Sequence, residues 1–470
     1  MRIYNTMNQK KEELIPGSSG EIKIYICGPT VYNFIHIGNA RPLCVFDVLR
    51  RYLEYSGEKV LFVQNFTDID DKIINRAREE GVDYQKIAGQ YIGEYWTDAK
   101  GLNVREADIH PKATENIPQM IEMIGSLIDK GFAYTAGNGD VYFRTRQFAD
   151  YGKLSRQPLD DLRAGARISV GETKEDPMDF ALWKESRPGE PFWESPWGRG
   201  RPGWHIECSA MVKRYLGETA DIHGGGYDLI FPHHENEIAQ SECGNGTVFS
   251  RYWMHNGFIN VDSKKMAKSL GNFFTVREVA RQYGYEPIRY FLIASHYRSP
   301  INYTAEVLDQ AKASLERLYT CRDNLTFRLE NAADNNAGEQ DAAALQMLER
   351  RRRQFTAAME DDLNTADALA AVFDLVRDIH SQLAGELSKD TIASLLAGFG
   401  DLTGVLGLLY ERQPESQDQD TAEIEGLIAA RKTARGAKNW AESDRIRDQL
   451  RGMGIILEDT PQGIKWHRER

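Results

Sequence analysis

Residues 21–57, EIKIYICGPTVYNFIHIGNARPLCVFDVLRRYLEYSG, contain the stretch that decides the fold. The first ten residues begin with alternating apolar and polar side chains and end in Gly-Pro, which is typical of a strand and its turn. Residues 38–57 carry apolar side chains at helical spacing and close on Gly57, as at a helix C-terminus. The stretch therefore predicts a strand followed by a helix.

A second strand and a second helix follow directly. KVLFVQNFTDID (59–70) is predicted to be a buried strand, and DDKIINRAREEG (70–81) is predicted to be helical. Strand, helix, strand and helix in this order predict an α/β fold with a Rossmann-type parallel sheet.

The rest of the chain changes in character twice. Residues 110–200 are irregular and indicate an insertion between two halves of the Rossmann-type domain, whereas the chain beyond residue 305 is strongly helical. The polar segment ERQPESQDQD (411–420) indicates a linker before a small α+β unit of two helices and a hairpin. The predicted division is a first Rossmann half at 1–115, a connective insertion at 116–200, a second half at 201–255, a stem-contact region at 256–310, a helical bundle at 311–410 and a C-terminal domain at 422–470.

The composition is that of a globular protein with several domains. The chain has 470 residues, of which 41% are hydrophobic and 27% charged. No segment approaches the roughly 20 apolar residues that span a bilayer, and the polar start lacks the apolar core of a signal peptide. We therefore expect a cytoplasmic protein without membrane contact. No dimerisation segment is evident, so a monomer is expected.

The number of cysteines and the net charge argue against two further classes of protein. The five cysteines are an odd number and widely scattered, which argues against a disulfide framework. The net charge of −12 argues against indiscriminate binding of nucleic acid. The last fifty residues differ, because they hold ten Lys/Arg against eight Asp/Glu. An ordinary solvated surface of mixed charge would have a similar composition, so this count does not by itself indicate an RNA-binding face.

Two short motifs suggest phosphate chemistry. In GPTVYNFIHIGNAR (28–41), a glycine at a helix start lets a phosphate approach the helix N-terminus, and His36 and Asn39 add hydrogen-bond donors. In DSKKMAKSLGNFFT (262–275), Lys265 and Lys268 can reach the charge that develops on a leaving pyrophosphate. Each motif alone fits an ordinary helix start or an exposed basic loop equally well or better.

Taken together, HIGN (36–39) and KMAKS (265–269) resemble the HIGH and KMSKS motifs of class I aminoacyl-tRNA synthetases. The resemblance implies that His36 and Asn39 hold ATP phosphates, with Mg²⁺ accompanying the ATP. It also implies that Lys265 and Lys268 stabilise the transition state of adenylate formation. Asn39 stands in place of the last histidine and keeps a hydrogen-bonding side chain. Ala267 replaces a serine and leaves both lysines in place.

A third set of residues has the chemistry of a zinc site. His233 and Glu237 in FPHHENEIAQ are four residues apart, hence on one face if the segment is helical. Cys27 and Cys208 are candidate thiolate ligands from distant segments, although isolated cysteines are usually buried small hydrophobes. Spacing alone does not assemble these four residues.

The surrounding segments resemble cysteinyl-tRNA synthetases in particular. The likeness rests on a cysteine before GPT, on WHIECSA (204–210) and on GGGYDLIFPHHENE (224–237), and extends to TDIDDKI, EDDLNT and EDTPQG. It implies one Zn²⁺ held by Cys27, Cys208, His233 and Glu237. Zinc would separate cysteine from serine, because a thiolate is a far better zinc ligand than a hydroxyl. Because four protein ligands leave no open position, the substrate thiolate must add as a fifth ligand or displace a weak one such as Glu237.

The remaining site residues are expected around these motifs. The expected contacts are Thr67, Trp204 and His223 in the cysteine pocket, Thr30, Gly38, Asp228 and Lys268 at ATP, and Arg435 and Asp459 at the tRNA anticodon. An ordinary core tryptophan and solvated surface charges are the alternatives for Trp204, Arg435 and Asp459. The implied partners are L-cysteine, ATP and tRNA(Cys).

Two other functions fit part of the pattern. A cysteine ligase of mycothiol biosynthesis shares the zinc site and both ATP motifs, but generally lacks an RNA-binding C-terminal unit. A non-catalytic tRNA-binding paralogue would be free to lose Lys268 or a zinc ligand, and all of these are present here.

Overall fold

The computed structural model describes residues 1–17, 19–157, 174–261, 264–265, 274–332, 338–411, 419–460 and 463–468. The chain divides into two compact units. The first comprises Met1–Lys312, Thr356–Ala368 and Val405–Leu408. The second comprises Ala313–Phe355, Leu369–Gly404 and Leu409–Arg470.

The strands and helices are numbered along the chain. The strands are β1 (Arg2–Asn5), β2 (Lys10–Glu13), β3 (Ile22–Ile26), β4 (Val60–Gln64), β5 (Ala133–Thr135), β6 (Val141–Phe143), β7 (Phe180–Glu185), β8 (Gly200–Pro202), β9 (Ala220–Gly226), β10 (Ser250–Asn256), β11 (Ile259–Val261), β12 (Lys264–Lys265), β13 (Ile301–Tyr303), β14 (Ile455–Thr460) and β15 (Gly463–Arg468). The helices are α1 (Ile37–Tyr55), α2 (Asp71–Glu80), α3 (Tyr84–Gly101), α4 (Ile117–Asp129), α5 (Trp204–Leu216), α6 (Glu235–Asn245), α7 (Val276–Tyr283), α8 (Tyr285–Ile293), α9 (Ala305–Glu330), α10 (Glu339–Glu360), α11 (Thr365–Gln382), α12 (Lys389–Val405), α13 (Gln419–Gly436) and α14 (Trp440–Gly452).

A four-stranded parallel sheet forms the centre of the first unit and confirms the predicted α/β fold. Its strand order is β10-β9-β3-β4, and every neighbouring pair is parallel. The strands β3 and β4 come from before the insertion, and β9 and β10 come from after it. The carboxyl ends of β3 and β9 therefore meet at one edge of the sheet, where ligands bind in folds of this kind.

The strand β3 is shorter than the predicted stretch, because the chain turns away from the sheet after Ile26. Gly28 lies against the neighbouring backbone, where a Cβ atom would come 1.6 Å from the carbonyl oxygen of Asn65. Only glycine allows this close approach. The next regular element is α1, which begins at Ile37 and buries most of its length.

The insertion between the two halves of the sheet shares a hydrophobic core with them, because Ile74, Ile206 and Ala239 belong to the same buried cluster as its own apolar side chains. Its four strands form an antiparallel sheet of order β5-β6-β7-β8, which includes the hairpin of β5 and β6. Apolar side chains of α4 pack on this sheet with Phe143 and Trp183, both of which are fully buried.

The second unit is helical and ends in a small α+β unit. The helices α13 and α14 precede the antiparallel pair β14–β15, which confirms the predicted order of two helices and a hairpin. Ile424, Ile446, Leu450 and Ile455 form a core of their own there. None of the described helices is both long enough and apolar enough to cross a membrane.

Candidate metal and nucleotide site

The four residues expected to bind zinc meet at the carboxyl edge of the central sheet. Cys27 follows β3, Cys208 lies in α5, and His233 and Glu237 lie where the chain passes from a short π-helical turn (Ile230–His234) into α6. The ligand atoms of all four lie within 4.8 Å of one another. The structure therefore assembles the set that spacing alone could not.

The distances within the set match those between the ligands of a tetrahedral zinc ion. Cys27 Sγ lies 3.7 Å from Cys208 Sγ and 3.4 Å from Glu237 Oε1. His233 Nε2 lies 3.8 Å from Cys208 Sγ and 2.9 Å from Glu237 Oε1. Zinc–ligand bonds of the usual length place tetrahedral ligand atoms roughly 3.3–3.8 Å apart. Only the His233–Glu237 pair lies closer, at the distance of a hydrogen bond.

Three further histidines line the same cluster. His223, in β9, places Nε2 3.7 Å from Cys27 Sγ and 3.1 Å from Glu237 Oε2. His234 places Nε2 3.3 Å from Cys27 Sγ. His205 places Nδ1 2.9 Å from His233 Nδ1, so it orients the imidazole of His233 from behind.

The charges of the cluster are strongly coupled. Burial by itself raises the pKa of the Cys208 thiol, but hydrogen bonds with Cys27 and His233 lower that pKa to about 6. Burial lowers the pKa of His233, yet Glu237 and Cys208 outweigh it and raise the pKa to about 10. The resulting thiolate and carboxylate outnumber the single imidazolium, so these three groups carry a net charge of −1. Zinc ligation requires a neutral imidazole, so metal binding at this site would release the proton of His233.

Two buried atoms of the cluster point to an additional bound group. Glu237 Oε2 makes no hydrogen bond of good geometry, although His223 Nε2 lies 3.1 Å away, and His223 Nδ1 has no hydrogen-bond partner in the part of the chain that the structure describes. Buried polar atoms are nearly always satisfied, and an ion or water commonly accounts for an exception. Two sulfurs, one imidazole and one carboxylate suit zinc, so the residues present fit this metal.

The residues expected in the cysteine pocket lie around the cluster. Trp204 begins α5 and stacks on His233 with ring centroids 4.1 Å apart, while 40% of Trp204 remains exposed. Thr67 is buried at the end of β4 and donates a hydrogen bond of 2.8 Å to Glu207. His223 contacts Glu237 as described above. Trp204 and His223 thus contact the cluster directly, whereas Thr67 contacts Glu207, the residue before Cys208.

The HIGN segment forms the start of α1, and its polar side chains cap that helix. His36 Nδ1 accepts a hydrogen bond of 3.2 Å from the backbone N–H of Asn39, and Asn39 Oδ1 accepts one of 3.3 Å from the backbone N–H of His36. This is a capping box with histidine and asparagine in place of the usual residues. Gly38 is the second residue of the helix.

The chain is fixed on the first unit before and after the KMAKS segment. At its start β12, which contains Lys265, pairs with β11. Five residues beyond its last residue, Phe274 O accepts a hydrogen bond of 3.2 Å from the backbone N–H of Ile37. Phe274 thus adjoins the HIGN segment. The side chain of Lys265 and the whole of Lys268 lie outside the described residues.

The other residues expected to contact ATP or tRNA lie in both units. Thr30 forms a parallel bridge with Thr67 at the carboxyl edge of the sheet. Asp228 lies exposed in the 3-10 turn Tyr227–Leu229, directly after the glycines that end β9. In the second unit, Arg435 is exposed near the end of α13, and Asp459 lies in β14, with a side chain outside the described residues.

Sequence reasoning missed part of this site. The sequence analysis assigned no role to His205, Glu207, His234 or His255. The first three are next in sequence to Trp204, Cys208 and His233, which were assigned. The clustering of histidines in WHIECSA, HHENE and WMHN was the available signal. Arg41 was also missed: its buried guanidinium donates to Gly257 O at 2.7 Å and to Ser299 O at 2.6 Å, which ties α1 to segments beyond β10.

Comparison with known proteins identifies the family. Curated proteins named cysteine--tRNA ligase from Clostridioides difficile (strain 630) and Caldicellulosiruptor saccharolyticus (strain ATCC 43494) are each 53% identical to the chain over 468 residues. Each alignment covers 100% of both chains. The chain belongs to the cysteine–tRNA ligase family.

Family models divide this cysteine–tRNA ligase family member into three parts. The class I (C) tRNA synthetase catalytic domain matches residues 13–313, the DALR domain matches 354–410, and the cysteinyl-tRNA ligase anticodon binding domain matches 407–466. Solved structures share the class I fold at low identity. Methionyl-tRNA synthetase of Mycobacterium tuberculosis, bound to methionyl-adenylate, is 15% identical with a TM-score of 0.59 over 82% of this chain and 89% of the other. Leucyl-tRNA synthetase of Agrobacterium radiobacter K84 in a ternary complex is 12% identical with a TM-score of 0.61 over 85% and 87%.

Proposed function

We propose that the chain joins L-cysteine to tRNA(Cys) in two steps that consume ATP. The cysteine carboxylate attacks the α-phosphate of ATP, which yields cysteinyl-adenylate and pyrophosphate. The terminal ribose hydroxyl of the tRNA then attacks the acyl carbon and displaces AMP. The observation that carries the proposal is the set Cys27, Cys208, His233 and Glu237 gathered at the carboxyl edge of the sheet, in a chain whose relatives match along its full length.

In the first step the chain acts by positioning and by charge. The N-terminus of α1 faces the phosphates, with Gly38 allowing their approach and with His36 and Asn39 beside it. Lys265 and Lys268, with Mg²⁺ bound to the ATP, offset the charge that develops on the pyrophosphate. Thr30 and Asp228 complete the nucleotide contacts at the carboxyl edge of the sheet.

The cysteine side chain is selected at the four-residue cluster. Zinc bound there supplies a Lewis acid that favours sulfur over oxygen. The chain's own residues shape the pocket: Trp204 covers His233, Thr67 is held by Glu207, and His223 stands against Glu237. Packing alone separates near-isosteres such as cysteine and serine by only ~10–200-fold. Selection of the thiol by a metal therefore removes the need for an editing site.

The remaining assignments follow from this activity. Residues 1–115 and 201–255 form the catalytic halves, 116–200 the connective insertion, and 256–310 the stem-contact region. Residues 311–410 form the helical bundle. Arg435 and Asp459 in the domain 422–470 contact the anticodon, and the protein works as a cytoplasmic monomer.

One assay separates this function from its rivals. The protein is supplied with cysteine, ATP and tRNA, and acid-stable cysteinyl-tRNA is measured beside cysteine-dependent pyrophosphate exchange. We expect both reactions. Exchange without charging would favour a ligase that transfers cysteine to a sugar amine, and the absence of exchange would contradict any activating enzyme.

A variant tests the role of the cluster. Cys208→Ser removes a thiolate from the set, so we expect the KM for cysteine to rise at least tenfold while the KM for ATP changes less than twofold. Cys243→Ser, at a buried cysteine outside the set, is the matched control and should change neither. Equal losses for cysteine and ATP would show that the cluster only supports the fold.

A further inference from the structure

The zinc cluster contains a second complete ligand set, which none of the assignments above uses. Cys27, His223, His234 and Glu237 also place their ligand atoms within 4.8 Å of one another. This inner set shares Cys27 and Glu237 with the outer set described above, and it replaces Cys208 and His233 by two fully buried histidines.

The inner set has tetrahedral spacing of its own. Cys27 Sγ lies 3.3 Å from His234 Nε2 and 3.7 Å from His223 Nε2, and Glu237 Oε2 lies 3.1 Å from His223 Nε2. These values are close to the roughly 3.3–3.8 Å expected between the ligands of zinc. Glu237 Oε2 is also one of the two cluster atoms whose hydrogen bonding is left incomplete in the described chain.

One of the two histidines of the inner set, His234, is supported as a metal-binding histidine usually is, whereas His223 Nδ1 has no hydrogen-bond partner in the described chain. A ligating imidazole normally gives its second ring nitrogen to a hydrogen-bond partner, which fixes its orientation. His234 Nδ1 lies 2.8 Å from His255 Nε2, and His255 Nδ1 lies 2.8 Å from Thr6 Oγ1. His233 in the outer set is supported by His205 in the same manner. Each set therefore has an imidazole held from behind by another histidine.

Charge limits the cluster to one ion at a time. Cys27, Cys208 and Glu237 together supply three negative charges, so two dications would leave an uncompensated positive charge in a buried site, at high cost. One dication in the inner set is balanced by Cys27 and Glu237. We propose that Cys27, His223, His234 and Glu237 form an alternative coordination set, to which the single zinc ion moves when an outer ligand is lost.

This inference rests on the proposed zinc site, and the first measurement tests that site alone. The metal is removed from the purified full-length protein with a chelator, and Zn²⁺ or Co²⁺ is restored and counted by elemental analysis. The unaltered chain should hold one ion with two sulfur ligands by X-ray absorption. No bound ion would overturn the zinc site itself, and two ions would overturn the single-ion form of the inference.

Two variants each remove a ligand that belongs only to the outer set. His233→Gln should retain one ion, with one sulfur ligand instead of two, although Cys208 is intact. Cys208→Ser should also retain one ion, and its sulfur-to-cobalt absorption should fall about twofold. A His233→Gln protein with two sulfur ligands, or the loss of the ion from both variants in folded protein, would overturn the inference and leave the outer site intact.

Double variants supply the matched comparison. His233→Gln/His234→Gln removes an imidazole from each set and should lose the ion. His233→Gln/His205→Gln removes only a neighbour of the outer set and should keep the ion as His233→Gln does. Equal retention in the two double variants would overturn the inference. Circular dichroism shows which variants are folded. If the first pair of double variants is not folded, the comparison is repeated with Cys208→Ser/His234→Gln and Cys208→Ser/His205→Gln.

Discussion

The side chain of Asn39 caps α1, and in the proposed function it also contacts the ATP phosphates. Its Oδ1 accepts from the backbone N–H of His36, so the amide nitrogen is the group left to point elsewhere. The last histidine of the HIGH motif is thus replaced by a residue that can satisfy a helix start with one end and donate to an anion with the other.

Asn39→Asp separates these two roles. The carboxylate keeps the capping acceptor and adds a negative charge at the helix N-terminus, so the free energy of unfolding should stay constant or rise by about 0.5 kcal/mol. The same charge repels ATP, and pyrophosphate exchange should fall roughly 100-fold. Urea unfolding and exchange kinetics measure the two effects. Asn75→Asp, at an exposed position of α2, is the control, and equal exchange rates in the two variants would contradict the assignment.

At the scale of elements, the turn between α10 and α11 organises several segments of the first unit. Asp362 is fully buried and has a positive φ of 70°, which Asp and Asn tolerate better than most residues. Its carboxylate accepts from the backbone N–H of Tyr4 at 2.7 Å, from Tyr297 Oη at 2.8 Å and from Arg298 Nε at 2.8 Å. The turn EDDLNT therefore joins β1 to the segment that follows α8.

Asp362→Asn should destabilise the protein in a pH-dependent manner. Burial alone raises the pKa of Asp362, but hydrogen bonds from His296, Tyr4 and Tyr297 and the charge of Arg298 hold it below its usual value. A depressed pKa stabilises the fold above the unfolded pKa of ~3.9, and this stabilisation disappears as the pH falls through the folded value. We expect a loss of about 2 kcal/mol at pH 7 that shrinks below pH ~4.

Denaturant unfolding between pH 7 and pH 3 measures this difference. Asp361→Asn is the control, because Asp361 is exposed and forms a single ion pair of 2.8 Å with Lys11. Its effect should stay below about 1 kcal/mol. If Asp362→Asn lowered the free energy of unfolding by as much at pH 3 as at pH 7, the charge of the carboxylate would not be the origin of the loss.

The start of α7, which follows the KMAKS segment along the chain, lies against the HIGN segment. Val276 N donates to Ile35 O at 3.0 Å. Arg277 forms ion pairs with Glu94 and, at 3.1 Å, with Asp98 in α3, and its guanidinium lies 5.0 Å from the ring centroid of Phe34. Arg277 is therefore a positioning residue for the neighbouring catalytic segment.

Arg277→Gln should slow the first step without disturbing the cysteine site. A small displacement of the anchored segment should lower kcat for pyrophosphate exchange roughly 10- to 100-fold, while the KM for cysteine and the zinc content remain unchanged. Arg277→Lys, which restores the charge without the fork, should recover part of the rate. Arg281→Gln, exposed on the same helix, is the control. A parallel loss of bound zinc would indicate a general structural defect instead.

For the whole molecule, the chain offers separate places for activation and for tRNA reading. The proposed activation residues belong to the first unit, and the two helices and hairpin of the C-terminus have a core of their own. The overall charge of −12 makes it necessary to concentrate RNA contacts on limited surfaces.

Deletion of residues 412–470 tests this division. Cysteine-dependent pyrophosphate exchange should remain within about threefold of the full chain, because the residues proposed for activation are retained. Charging of tRNA should fall on the order of 100-fold, which corresponds to about 2.7 kcal/mol of lost tRNA binding. Normal charging by the shortened chain would contradict the anticodon assignment, whereas joint loss of both reactions would show that the deleted part supports the fold.

The sequence determined what depends on neighbouring residues. Strand and helix follow from the periodicity of side chains a few positions apart, so the order of elements, the parallel sheet and the C-terminal hairpin were predictable. Individual motifs such as HIGN and KMAKS were visible for the same reason. The exact start of α1 was not, because it depends on the capping pair His36 and Asn39 and on the close approach of Gly28 to Asn65.

Only the tertiary structure decided which distant residues share a site. Cys27 and Cys208 are 181 positions apart, yet their sulfurs lie 3.7 Å from each other because β3 and α5 meet at the same edge of the sheet. Resemblance to a family could name the expected outer ligands, but it did not indicate that His223 and His234 lie near the same sulfur, or that His205 and His255 contact His233 and His234. Such contacts depend on how packed elements place their side chains, and no local pattern encodes that placement.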